Sequence, residues 1–154
     1  MTFLFWNLRG KQLELRSVVA RLVSLHRVDV VLLAECPPPQ LLLPSLNAGG
    51  EPEFFPCSNE HDSVAVYTRF SHGFMVLQKR QRRYTIWRLA LPARKEILLV
   101  TAHLGSKRHL GPTDKTGECR DFAEAIRAAE ENACHSKTLI VGDLNLNPFE
   151  DGIV

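Results

Sequence analysis

The sequence predicts two packed, mostly antiparallel β-sheets flanked by helices, an α/β (α+β) arrangement in a single domain. Three observations predict it. Short apolar runs of strand length recur along the chain, far more often than helical periodicities do. The order is strand, helix, strand, then several strands, then helix and strand, which suits sheets face to face with helices outside. The 154 residues are 45% hydrophobic and 23% charged, enough apolar material for one real core.

The elements follow in order. Thr2 to Leu8 is a buried strand that Arg9-Gly10 ends. From Gln12 to His26, Leu13, Val18, Val19, Leu22, Val23 and Leu25 recur at helical spacing. Asp29 to Glu35 is a second buried strand, stopped by Pro37-Pro38-Pro39, because proline cannot donate to a ladder. A short helical piece is expected within residues 40–46, and 47–50 is turn material. Phe54-Phe55 and Ser63 to Thr68 read as strands. Gly73 to Gln78 and Tyr84 to Leu91 read as a hairpin with Lys79 to Arg83 at its tip. Glu96 to His103 is a buried strand, Gly105 to Gly117 a long polar loop, and Glu118 to Cys134 a helix with Phe122, Ala125, Ile126 and Ala129 on one face. Thr138 to Val141 is the last strand, with a loop from Gly142 onward.

The charge balance excludes some functions. A net charge of +2 and a pI of about 8.4 are compatible with an anionic substrate, but far from a protein that coats nucleic acid. The N-terminal apolar stretch lacks a basic region and a cleavage site, and no apolar run is long enough to span a bilayer. Cys36, Cys57, Cys119 and Cys134 form no CxxC pair, which fits reduced thiols in a cytoplasmic protein. Cys119, Cys134 and His135 could offer zinc ligands, but their spacing has no recognised rhythm.

Function is carried by the strand ends. Otherwise apolar strands end in Asn7, Glu35, His103 and Asp143-Leu144-Asn145. Side by side, such strands deliver carboxylates, amides and an imidazole to one rim. Hard cations such as Mg²⁺ or Mn²⁺ take oxygen ligands of this kind, one or two carboxylates plus waters and phosphate oxygens.

At these positions the sequence resembles a known family. Phe5-Trp6-Asn7-Leu8-Arg9, Leu32-Leu33-Ala34-Glu35, Val100-Thr101-Ala102-His103-Leu104 and Val141-Gly142-Asp143-Leu144-Asn145-Leu146-Asn147-Pro148 resemble, in order, motifs of the endonuclease/exonuclease/phosphatase superfamily. Ala34 stands where the family usually has Gln. The resemblance covers essentially the whole chain and implies a DNase I-like four-layer sandwich acting as a Mg²⁺- or Mn²⁺-dependent phosphodiester hydrolase. It implies Glu35, Asn7 and Asp143 as metal ligands, His103, Asp143 and Asn145 as catalytic, and Asn7 and Asn145 as substrate contacts. Lys107 and Arg108, in the loop after His103, join the substrate contacts, whereas Lys79 to Arg83 read first as a solvated hairpin tip, with phosphate-backbone contact as the functional alternative.

Nucleic acid is the expected substrate, with lipid or nucleotide phosphates as the alternative. The family also ends in a Ser-Asp-His motif, whereas this sequence stops at Val154 with no later Asp-His pair. A shortened chain, one completed by another polypeptide, or a catalytically incomplete binding module of the same fold is therefore expected. Asp62 could serve the site or cap a turn.

Overall fold

The computed structural model describes residues 1–36, 41–48, 54–59, 62–93, 95–105 and 112–146. Its strands are β1 (Phe3–Asn7), β2 (Val30–Ala34), β3 (Phe55–Pro56), β4 (Val64–Thr68), β5 (Met75–Arg80), β6 (Tyr84–Leu89), β7 (Ile97–His103) and β8 (Thr138–Asp143). The helices are α1 (Gln12–Leu25), α2 (Leu43–Leu46) and α3 (Pro112–Ala133), with a 3₁₀ turn at His72–Phe74. One sheet has the order β1-β2-β4-β3 and the other β5-β6-β7-β8. The β1–β2 and β7–β8 pairs are parallel and the rest antiparallel. The mostly antiparallel double sheet expected from the sequence is therefore present.

Alternation along the strands builds the layers. In β2, Val30, Leu32 and Ala34 meet Val64, Val66, Trp87, Leu89 and Leu99 between the two sheets. Val31 and Leu33 point the other way, with Tyr67, onto Val19 and Val23 of α1. On the far face of the second sheet, Tyr84, Ile86, Val100 and Ala102 pack on Cys119, Phe122 and Ala125 of α3. Each fully buried side chain of this size contributes about 1.5–3 kcal/mol. These three cores hold the strand ends still.

Several sequence expectations change. β8 runs through Gly142 to Asp143 instead of ending at Val141. A Cβ on Gly142 would lie 1.9 Å from the Ala102 carbonyl oxygen, so glycine lets the two strands close up there. α3 begins at Pro112, inside the stretch read as a polar loop, because proline is well suited to a first helical turn. β5 extends to Arg80, so Lys79 and Arg80 lie in a charged edge strand and the tip shrinks to 81–83. The buried face of α1 is narrower than its apolar spacing suggested: Leu13, Val18 and Leu25 are exposed. Among the described residues, no helix is long and apolar enough to cross a membrane.

Candidate active site

Register brings the strand ends together. Asn7 pairs with Ala34 across β1–β2, which puts Glu35 one residue beyond Asn7's neighbour. His103 pairs with Asp143 across β7–β8. The sandwich then stacks these two ends at one rim.

Asn7 is the hub. Its Nδ2 donates to Glu35 Oε1 and to Asp143 Oδ2, both at 3.1 Å. Its Oδ1 accepts the Arg9 N–H at 2.9 Å. An amide has two hydrogens on one side and an acceptor on the other, so this network uses it in one orientation only. The Arg9 bond closes an Asx turn, after which Arg9 and Gly10 adopt φ of 49° and 71°. Leu8 N–H then donates to the Ala34 carbonyl and Gly10 N–H to the Glu35 carbonyl, at 3.0 and 3.2 Å.

Glu35 itself has φ of 50°. A non-glycine residue held there costs of order 1–3 kcal/mol, and such residues cluster at functional sites. The strained turn exposes its carboxylate, 43% accessible, at the rim. The following residue anchors it: the Cys36 thiol shares a hydrogen bond with the buried Tyr67 phenol. Burial pushes the Cys36 thiol up, and burial, followed by the effect of Cys36, pushes the Tyr67 phenol up.

On the other sheet, His103 Nε2 stands 3.7 Å from Glu35 Oε1. Asp143 Oδ1 accepts the Asn145 N–H at 3.0 Å, a second Asx turn, and Asn145 has φ of 51°. Asn145 Nδ2 donates to the Leu104 carbonyl at 2.9 Å. Of the remaining φ-positive residues, Ala93 lies in the turn before β7, and Arg27 and Cys134 are ordinary left-handed helix ends: Val28 N–H returns to the Val23 carbonyl and His135 N–H to Glu130.

The structure thus gathers Asn7, Glu35, His103, Asp143 and Asn145. Lys107 and Arg108 lie outside the described residues. Beside the rim, an open groove of about 820 Å³ separates Lys79, Arg82 and Arg83 from Glu118, Asp121 and Glu124 of α3. Burial, aided by the Asp121 charge, pushes the Tyr84 phenol in its wall up.

Asp62 is the residue the sequence underrated. Its side chain is 1% exposed and takes Arg80 Nε at 2.7 Å, Arg80 Nη2 at 3.1 Å, Thr85 Oγ1 at 3.0 Å and Asn59 N–H at 2.9 Å. It ties the approach to β4 to the β5–β6 hairpin, across the two sheets. The Arg80 guanidinium also lies over the Trp87 ring, 5.9 Å from its centre. No local sequence signal announces partners 18 and 23 residues away.

Among the described residues, no group of three or more His, Cys, Asp or Glu side chains is placed to hold a metal ion, which leaves no cysteine-based zinc cluster there. The rim offers instead two carboxylates joined through one amide. That donor set fits a hard cation bound by one or two carboxylates with its remaining positions left to water and substrate.

The family model described as the Endonuclease/Exonuclease/phosphatase family matches residues 4–154. The chain belongs to this family. No curated protein matches it. Among solved structures of the same fold, D. rerio TDP2 complexed with a single-strand DNA product is 19% identical, with a TM-score of 0.61, over 96% of this chain and 62% of that one. A family protein from Leptotrichia buccalis is 17% identical, with a TM-score of 0.63, over 96% and 67%. Staphylococcus aureus beta toxin is 12% identical, with a TM-score of 0.67, over 98% and 68%. The chain spans 62–63% of the length of these D. rerio and the Caenorhabditis elegans TDP2 structures of similar size. At these identities the likeness is one of fold, and the DNase I-like double sheet is common to all.

Proposed function

We propose that the rim hydrolyses phosphodiesters with the help of a divalent cation, Mg²⁺ or Mn²⁺, and that its substrate is nucleic acid. The observation that carries this reading is the Asn7 amide bridging Glu35 and Asp143. It holds two carboxylates at one rim while leaving Glu35 exposed to solvent.

Glu35 and Asp143 would hold the cation, which when bound neutralises charge on the phosphoryl and leaving oxygens. Asn7, expected from the sequence as a ligand, turns its Nδ2 to both carboxylates and its Oδ1 to the Arg9 N–H, and so braces them instead. The chain's own residues supply the rest. Asp143 accepts a hydrogen bond at each oxygen and keeps further lone pairs for orienting an attacking water. His103 projects its Nε2 into the same rim. There an imidazole can donate to a non-bridging phosphate oxygen or move a proton near neutral pH. Asn145 supports the site by holding the Leu104 carbonyl. An amide nitrogen carries two hydrogens, so Nδ2 can keep that bond and offer its second N–H to a phosphate oxygen. Lys107 and Arg108 are proposed phosphate contacts.

Nucleic acid is preferred because TDP2, a structure of the same fold, is seen with a single-strand DNA product. The basic hairpin residues Lys79, Arg82 and Arg83 beside the rim suit a phosphate backbone. The test is cleavage of single-stranded DNA, duplex DNA and RNA with Mg²⁺ or Mn²⁺, using Glu35→Gln and Asp143→Asn as controls. Cleavage that needs the cation and both carboxylates is expected. Cleavage that survives both substitutions overturns the reading, and cleavage of lipid or nucleotide phosphates alone replaces the substrate.

A further inference from the structure

The segment His103-Leu104-Gly105 leaves β7 at the centre of the rim, and its backbone is held from three sides. His103 N–H donates to the Arg83 carbonyl at 2.8 Å, from the β6 side. Leu104 N–H donates to the Asp143 carbonyl at 3.0 Å, from the β8 side. Gly105 N–H donates to Glu118 Oε2 at 3.0 Å, from α3. The first two bonds are continuations of the sheet. The third depends on a single side chain that no family motif on this sequence includes.

Glu118 is well placed to be rigid. It is one helical turn and a half into α3, its neighbours Cys119 and Phe122 are buried, and its own side chain is 19% exposed. Its other oxygen, Oε1, lies 3.6 Å from Arg83 Nε, the same residue whose carbonyl receives His103. Gly105 is buried and its N–H is met by this carboxylate, so removing the carboxylate takes away the acceptor that holds the backbone in place. One carboxylate therefore closes a ring through Arg83, His103 and Gly105.

We propose that Glu118 is a positioning residue of the hydrolytic site, fixing the backbone on which His103 is mounted. It touches no reacting atom itself. The proposal rests on the rim being that site. A loosened backbone at Gly105 lets the imidazole wander, and misplacement by a fraction of an ångström is enough to slow a positioned group. Because the ring holds His103 and leaves Asn7 and Glu35 untouched, it acts on turnover more than on binding.

The test uses the intact chain with Glu118→Ala, Glu118→Gln and, as a charge control on the same helix, Glu124→Gln. Amide hydrogen exchange at Gly105 and the kinetics of DNA cleavage are measured for each. Glutamine keeps a carbonyl acceptor for Gly105 but loses the charge facing Arg83. For Glu118→Ala, exchange at Gly105 about tenfold faster and kcat about tenfold lower are expected, with KM within about twofold. Glu118→Gln restores both, and Glu124→Gln changes neither.

Unchanged Gly105 exchange in Glu118→Ala overturns the proposal. So does a glutamine variant as impaired as alanine, because the hydrogen bond would then not be what matters. A rise in KM without a fall in kcat overturns it too. If the wild-type chain cleaves no phosphodiester, the functional reading fails on its own, while the Gly105 exchange of the alanine variant still decides whether Glu118 holds this backbone.

Discussion

Asp62 and Glu35 are both carboxylates near the ends of sheet strands, and they are used in opposite ways. Asp62 is 1% exposed and saturated by Arg80, Thr85 and Asn59. Glu35 is 43% exposed and, among the described residues, accepts one hydrogen bond, from Asn7, with His103 a little farther off. A carboxylate whose lone pairs are all met by protein donors is a fastener. One held by a single neutral amide on a strained turn keeps its oxygens for something that arrives from solvent. The same contrast separates the proposed site from the scaffold that braces it.

The largest expected effect sharpens that contrast. Glu35→Gln and Asp143→Asn should each lower cation-dependent hydrolysis by about a hundredfold or more, while shifting folding stability by under about 1 kcal/mol. Kinetics and urea denaturation on the same samples check this. Asp62→Ala should do the reverse. It strands the Arg80 guanidinium and should cost about 3 kcal/mol, a figure at the low end for a buried pair because Arg80 is one-third exposed. A chemical-denaturation midpoint unchanged in Asp62→Ala would erase the distinction.

Gly142→Ala lies between the two classes. A methyl group 1.9 Å from the Ala102 carbonyl must push β8 from β7, and about 2–3 kcal/mol of destabilisation with loss of hydrolysis is expected. Thermal melts and cleavage assays check it together.

The smallest effect is in the pH profile. Burial holds the Cys36 and Cys57 thiols above their ordinary 9.0, so the folded state keeps protons that the unfolded chain releases. Their contribution is fully present below pH 9 and declines as pH rises through that value towards the raised folded values. A gentle loss of stability above pH 9 is therefore expected in denaturation curves, and Cys36 should be alkylated with a midpoint above that of an unperturbed thiol.

How much of this was legible in the sequence depends on how local the cause is. Asn7, Glu35, His103 and Asp143 stand out because each interrupts an apolar strand run at its end, a signal contained in a few residues. The double sheet follows from the same runs. The start of α3 is hidden because Pro112-Thr113-Asp114 opens a polar stretch in which proline's fitness for a first turn is the only helical signal. The end of β8 was hidden because Gly142 looks like a breaker. Its lack of a Cβ in fact serves a close interstrand approach that only the register reveals. Asp62 and Glu118 were illegible for a third reason: their partners Arg80, Thr85, Arg83 and Gly105 come from elements distant in the chain.

The central claim is that Glu35 and Asp143, braced by Asn7, make a divalent-cation site at the rim. The most direct measurement is paramagnetic broadening of backbone amide signals on substoichiometric addition of Mn²⁺. Broadening centred on Leu8, Ala34, Cys36 and Leu144, abolished by Glu35→Gln combined with Asp143→Asn and reversed by excess Mg²⁺, is the predicted result. Broadening centred instead on the acidic wall of α3 at Glu118, Asp121 and Glu124, and indifferent to the rim substitutions, would contradict it.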